Sequence, residues 1–168
     1  VAYRASVTDL ISFVSAPGPC VAGSGSFPGC YANTAKARYS GVTFSGQYNL
    51  EGYALRGSLD LQDPRDLTLD KQLARRSRQH ASLGLDKRVG NWLVGAEAQL
   101  MGKRYSGAGE TLPMGGYGLL NLNASSRVAR DWTLLARIDN LGNKRYESIS
   151  SYATPGRSLY VGLQWAAQ

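Results

Sequence analysis

Two cysteines, Cys20 and Cys30, are the residues of this sequence best placed for covalent chemistry. They lie ten positions apart in a segment rich in Gly, Pro and Ser. A zinc site needs four ligands, and the only histidine, His80, is far from both thiols in sequence. We therefore predict a disulfide formed in an oxidising compartment, where closing a loop of this size contributes about 2 to 3 kcal/mol in the chain-entropy model.

The other residues that could do chemistry form no catalytic pattern. His80 stands near Arg76 and Arg78, and no Ser or Cys nucleophile accompanies it in sequence. The spacing of Glu97 from other acids does not support a hydrolytic carboxylate pair. The glycines around Tyr117 lack the Lys-Ser or Lys-Thr pair and the following helix of a phosphate loop. The sequence thus predicts a protein that is not an enzyme, with no catalytic residue, metal or cofactor.

The composition restricts the class of protein further. A chain of 168 residues with 43% hydrophobic and 18% charged residues is folded and about the size of one domain. The net charge of +7 arises from basic residues spread along the chain, with one cluster at Arg75, Arg76 and Arg78. Because no basic stripe is present, we expect no nucleic-acid partner. The apolar runs are too short for a transmembrane helix.

A period of two dominates the hydrophobic pattern, as a half-buried strand requires. In Trp132–Asp139, for example, apolar residues at even positions alternate with mostly polar residues at odd positions. Segment 67–78 permits at most a turn or two of helix. The pattern predicts eight strands, at 1–13, 37–48, 53–61, 76–86, 92–100, 117–128, 132–139 and 158–165.

Long and short connections between these strands alternate strictly. The long ones are 15–34, 62–74, 106–116 and 144–156, and the short ones are 49–52, 87–91 and 129–131. Such sorting is typical of outer-membrane barrels, which have short periplasmic turns and long extracellular loops. The strands, 8 to 13 residues long within these bounds, also exceed the roughly 5 or 6 of soluble sheets. We expect an all-β, antiparallel, up-and-down transmembrane β-barrel, integral to the outer membrane of a Gram-negative bacterium, whose edges are closed or completed by further strands.

The two faces of this sheet have different expected surroundings. The apolar face, with Trp92, Trp132 and Trp165 near strand ends, is expected to contact outer-membrane lipid. The opposite face is expected to line the lumen with Arg4, Arg56, Asp60, Glu97, Arg127, Arg137 and Asp139. Two alternatives stay open. One is a soluble eight-stranded ligand carrier, in which the apolar face would point inward and the polar face outward. The other is a self-contained eight-stranded membrane barrel with a structural or adhesion role.

The C-terminal segment resembles the end of a TonB-dependent outer-membrane receptor. The resemblance is carried, in this order, by Asn140-Leu141, Lys144-Arg145-Tyr146-Glu147 and Pro155-Gly156-Arg157. Weaker motifs resemble the vitamin B12 (cobalamin) branch, and siderophore receptors share several of them. These are Asp9–Phe13, Gly41-Val42, Leu61–Asp66, Leu73–Arg76 and Arg104-Tyr105.

The resemblance implies a 22-stranded barrel with an N-terminal plug, which imports a scarce ligand using energy relayed by TonB. Residues 1–168 are then expected to be the C-terminal part of that barrel, without the plug and the remaining strands, and the start at Val1 fits this expectation. The expected ligand is cobalamin, or alternatively an iron siderophore. Glu110, Tyr152 and Arg157 lie on the side of the long loops and are the expected ligand contacts.

Overall fold

A computed structural model describes residues 1–15 and 29–167. In this part of the chain nearly all regular structure is antiparallel strand. In chain order the strands are β1 (Ala2–Ser15), β2 (Gly29–Leu50), β3 (Tyr53–Asp66), β4 (Lys71–Gln72), β5 (Gln79–Val89), β6 (Trp92–Met101), β7 (Arg104–Gly107), β8 (Thr111–Met114), β9 (Tyr117–Ala129), β10 (Trp132–Asp139) and β11 (Ser158–Trp165).

The eight long strands form one sheet in which each strand pairs with the next in sequence. Its order is β1, β2, β3, β5, β6, β9, β10 and β11, and the short β4 pairs with β3. The predicted eight-stranded up-and-down meander is therefore confirmed. Among the described residues β1 and β11 each pair with one neighbour only, so the barrel is not closed within this chain.

Three features differ from the expected boundaries. β2 begins at Gly29 rather than at Ala37, because residues 29–35 pair with the second half of β1. β3 continues to Asp66 through Pro64, which lacks an N–H; this is tolerated because pairing with β5 ends at Leu61. The long connection after β6 contains the β7–β8 hairpin, which the hydrophobic period did not reveal.

Helix contributes almost nothing to the described residues. Segment 67–78 forms turns and the short β4 rather than a helical turn. The helical element that the structure does contain is a single 3₁₀ turn at Ala108–Glu110, between β7 and β8. In residues 1–15 and 29–167, no helix is long and apolar enough to span a membrane.

The short turns and the long connections lie at opposite ends of the sheet. The turn between β2 and β3 has Glu51 at φ 40° and Gly52 at φ 84°. Two consecutive positive φ angles match the right-handed twist of a tight hairpin, and glycine adopts such an angle without strain. Equally short turns join β5 to β6 and β9 to β10. The predicted alternation of long and short connections is confirmed from β2 to β11, where the structure describes every connection.

The strand register assigns side chains to two faces, because directly paired residues share a face. On the polar face Thr43 donates to Asp60 (2.6 Å), and the hydroxyls of Ser58 and Ser82 are 2.9 Å apart. Registers place most of the predicted lumen residues on this face: Arg56, Asp60, Glu97, Arg127, Arg137 and Asp139. Arg4 is the exception, and its predicted face was wrong: it pairs with Ser40, on the face that carries Val42 and Phe44.

The other face carries mostly apolar side chains, with Arg4, Arg38 and Lys87 among the exceptions. Phe44 pairs with Leu59, and Leu134 with Leu163. Trp132 pairs directly with Trp165 beside the short turns, and Trp92 begins β6 at the same end. This places the three tryptophans together at one end of the apolar face, where a membrane interface accommodates amphipathic rings.

Candidate functional site

Three connections at the end opposite the short turns pack against one another. We call them, residues 67–78, 102–116 and 140–157, the loop cluster. The Arg75 N–H donates to the Tyr105 carbonyl (2.6 Å), and the Ser150 N–H donates to the Ser106 hydroxyl (3.1 Å). The cluster is thus held by contacts between segments that are distant in sequence.

Arg104 lies at the centre of the loop cluster and is 5% exposed. Its Nη2 donates to the Glu147 carbonyl, and its guanidinium lies over the Tyr117 ring, 5.2 Å from the centroid. Tyr117 in turn contacts Tyr146, with ring centroids 4.4 Å apart. Among the described residues no acceptor faces Nη1 of Arg104, which is buried. The structure therefore holds a buried cation with an unused donor beside two aromatic rings.

A cavity of about 300 Å³ opens beside these rings. The turn before β9 forms one wall, and the connection after β10 forms the other. Its lining residues are Pro113, Met114, Gly115, Gly116, Tyr117, Lys144, Arg145, Tyr146 and Glu147. Two cations and two tyrosines against one carboxylate make this a place where an anionic or aromatic ligand can bind.

Asn140 shapes one wall of the cavity. It is buried and adopts a φ of 51° at the end of β10. Its Oδ1 accepts from the Lys144 N–H (2.8 Å), and its Nδ2 donates to the Lys144 carbonyl (2.9 Å). Both hydrogen bonds fix the start of the connection and thereby the positions of Lys144 and Arg145.

The family model described as TonB dependent receptor-like, beta-barrel matches residues 1–141. The chain belongs to this family. TonB-dependent receptors are transporters and not enzymes. Their barrels are integral to the Gram-negative outer membrane, so the predicted localisation is confirmed. That localisation rules out the soluble carrier.

Several solved structures share this fold over almost the whole chain. The copper transporter OprC superposes with a TM-score of 0.79 at 23% identity, covering 98% of this chain and 27% of that one. The siderophore receptor PiuA from Acinetobacter baumannii superposes with a TM-score of 0.73 at 19% identity, covering 98% of this chain and 25% of that one. BauA, the ferric preacinetobactin receptor of Acinetobacter baumannii, superposes with a TM-score of 0.71 at 21% identity, covering 98% of this chain and 26% of that one. The chain spans about a quarter of the length of these receptors.

The three predicted ligand contacts all lie in the loop cluster, but no hydrogen bond or ion pair of the described residues joins them. Tyr152 is 68% exposed. The backbone N–H of Arg157 donates to Asn143 Oδ1 (3.0 Å), and its Nη1 to the Leu141 carbonyl (3.5 Å). Both residues belong to the connection that forms one wall of the cavity.

Glu110 has a different environment from the other two. Its carboxylate accepts from the Gln72 N–H (3.1 Å) and faces Lys71 Nζ at 3.5 Å. The hydrogen bond from Gln72, followed by the charge of Lys71, holds the pKa of Glu110 below its usual value despite partial desolvation. Glu110 therefore ties β4 to the 3₁₀ turn.

The predictions for cysteine and histidine have different outcomes. Cys20 lies outside the described residues, so the disulfide with Cys30 stays a prediction. His80 lies on the polar face, with Nδ1 3.5 Å from Asp60. In the part of the chain that the structure describes, no three His, Cys, Asp or Glu residues group as metal ligands.

Sequence reasoning missed Arg104 and Tyr117 as site residues. In the sequence Arg104-Tyr105 is a family motif, and Tyr117 follows a glycine-rich stretch and begins a predicted strand. The signal that was present is an arginine just after a predicted strand, followed by a tyrosine that opens the next predicted strand. Their contact depends on the β7–β8 hairpin, which folds the intervening residues back.

Proposed function

We propose that residues 1–168 form the C-terminal part of the barrel of a longer receptor that takes up a ferric siderophore. The coverage of about a quarter of each receptor length supports the first half of this proposal. Two of the three receptors named above are siderophore receptors, which supports the second half. In this proposal the plug domain and the other strands lie outside the chain, and the plug relays energy from TonB.

The observation that carries the proposal is the cavity beside Tyr117 and Tyr146. It lies at the end with the long connections, which faces the outside in outer-membrane barrels. Lys144 and Arg145 attract an anionic iron complex, and the tyrosine rings can stack against flat aromatic groups of a catecholate chelator. Such a site would form one wall of a ligand vestibule above the lumen.

The three expected ligand contacts have separate roles in this proposal. Tyr152 and Arg157 are proposed to reach the ligand from the connection after β10. Glu110 already uses its carboxylate for Gln72 and Lys71, so it is proposed to position β4 rather than to bind through both oxygens.

Cobalamin is the second candidate ligand. Its support is the resemblance of the weaker motifs, such as Asp9–Phe13 and Arg104-Tyr105, to cobalamin receptors. The receptors compared above do not support that branch, since their names refer to copper and to siderophores. The siderophore proposal therefore takes precedence.

Uptake by the full-length receptor tests both candidates. The receptor is produced in a strain without siderophore and cobalamin receptors of its own, with and without TonB. We expect TonB-dependent accumulation of iron from a ferric catecholate, and none of labelled cyanocobalamin or copper. Accumulation of cyanocobalamin alone would replace the proposal with the second candidate, and uptake that persists without TonB would refute both.

A further inference from the structure

An apolar groove of about 510 Å³ crosses the apolar face of the sheet. Its floor follows one row of directly paired residues, from Lys87 through Val94 and Ala124 to Ala136. The next row carries the larger side chains of Leu85, Leu122, Ile138 and Leu159, with Ala96 between Leu85 and Leu122. Because Ala124 and Ala136 are smaller than the neighbouring Leu122 and Ile138, the row forms a trough there in the surface that faces lipid.

One end of this groove is cationic. Tyr53 pairs with Lys87 in the same row. Lys87 Nζ lies 4.2 Å from the centroid of the Tyr53 ring and donates to its hydroxyl. Asp86, the neighbour of Lys87 in sequence, pairs with Arg56 on the opposite face. No ion pair within the described ranges includes Lys87, so its charge is available to an anion.

The groove changes depth along its length. Tyr53 begins β3 directly after the turn at 51–52, and Lys87 lies close to the end of β5 at Val89. Short turns mark the periplasmic side, so this end lies at the level of the headgroups there, where lysine and tyrosine side chains are favoured. Ala124 and Ala136 are farther from the turn at 130–131 than Lys87 is from that at 90–91. The trough therefore runs from headgroup level into the hydrocarbon.

We propose that this groove binds one phospholipid of the periplasmic leaflet. The phosphate accepts hydrogen bonds from Lys87 Nζ and the Tyr53 hydroxyl, and one acyl chain lies over Val94, Ala124 and Ala136. Lipid around the barrel is as apolar as the groove, so burial alone does not favour one lipid over its neighbours. The contact between the ammonium and the phosphate distinguishes a bound phospholipid, and the trough fixes its chain.

Native mass spectrometry of the full-length receptor in detergent, titrated with phosphatidylglycerol, tests this proposal. We expect Lys87→Gln to weaken the tightest phosphatidylglycerol adduct about fivefold, the loss of one lysine's attraction to an anionic headgroup. Arg88→Gln is the matched control, since Arg88 is the next residue, at similar depth but on the opposite face. Ala124→Phe fills the trough and should abolish the adduct, whereas Ala98→Phe, on the same face outside the groove, should not.

A neutral diacylglycerol tests the role of the phosphate. It should bind the wild-type receptor more weakly than phosphatidylglycerol does, and Lys87→Gln should leave its binding unchanged, because this lipid has no phosphate. Equal phosphatidylglycerol binding by the wild-type receptor and by Lys87→Gln would overturn the proposal. So would an equal loss in the Arg88→Gln or Ala98→Phe controls, which would indicate a general effect on the barrel surface.

Discussion

The guanidinium of Arg104 lies over the ring of Tyr117, 5.2 Å from its centroid, although the two residues belong to different strands of different sheets. Arg104 also donates to the Glu147 carbonyl in a third segment. One buried cation thus connects the β7–β8 hairpin, the start of β9 and the connection after β10. Those last two segments form the walls of the cavity, so the geometry of the proposed ligand site depends on Arg104.

Replacing Arg104 with Ala should loosen the cavity. The change removes a charged hydrogen bond, which contributes about 1.5 to 3 kcal/mol, and the ring contact with Tyr117. We expect siderophore affinity of the full-length receptor to fall at least about tenfold, equivalent to roughly 1.4 kcal/mol, in equilibrium binding. Arg104→Lys keeps the charge but loses the planar guanidinium with its several donors. The siderophore affinity of this variant should therefore lie between those of the wild-type receptor and Arg104→Ala. Arg130→Ala, at a short turn, is the control, and an equal loss there would contradict this role.

Gly41 lies where three strands approach closely. A Cβ at this position would meet the Leu61 carbonyl oxygen at 2.5 Å, which is backbone and cannot swing away. We expect Gly41→Ala to destabilise the barrel by about 1 to 3 kcal/mol, as overpacking does. Gly46→Ala in the same strand is the control, because nothing lies within 4 Å of its Cβ position. Thermal unfolding in detergent compares the two, and equal unfolding temperatures would contradict the close approach.

Glu110 should make the attachment of β4 depend on pH. The hydrogen bond from the Gln72 N–H lowers the pKa of Glu110 below the ordinary 4.5. The contact is therefore present at neutral pH and is lost as the pH falls through the lowered value. We expect the Gln72 amide to exchange its hydrogen faster, relative to its intrinsic rate, in that acid range. Glu110→Gln should remove this pH dependence, and if the variant keeps it, another group is responsible.

The sequence predicted the sheet well because its physical signal is local. Alternation along segments such as Trp132–Asp139 reports a half-buried strand directly, and connection lengths report the two ends. Arg4 was assigned to the wrong face because the face of β1 follows from its register with β2, which is irregular around Leu10. Residues 29–34 are expected in a loop because their pairing with β1 is not visible in their composition.

The site was harder to predict than the sheet. Arg104, Tyr117 and Glu147 meet only because a hairpin with four-residue strands folds back between β6 and β9. Strands of this length are too short for a period of two to stand out. Glu110 was selected from its position on a long connection, and its partner Gln72 lies 38 residues away in sequence. Contacts between distant loops leave no periodic trace.

The assignment of the apolar face to lipid can be tested with neighbouring residues. Leu59 pairs with Phe44 on the apolar face, and Ser58 faces Ser82 on the polar face. A charge that faces lipid costs about 2 to 4 kcal/mol near the bilayer midplane and less near its edges. We expect Leu59→Arg to lower the free energy of unfolding of the full-length receptor in lipid vesicles by an amount in that range, measured by denaturant titration. Ser58→Arg should reduce the stability much less, because its side chain points into a polar lumen. A larger loss for Ser58→Arg than for Leu59→Arg would mean that the polar face, and not the apolar one, contacts lipid.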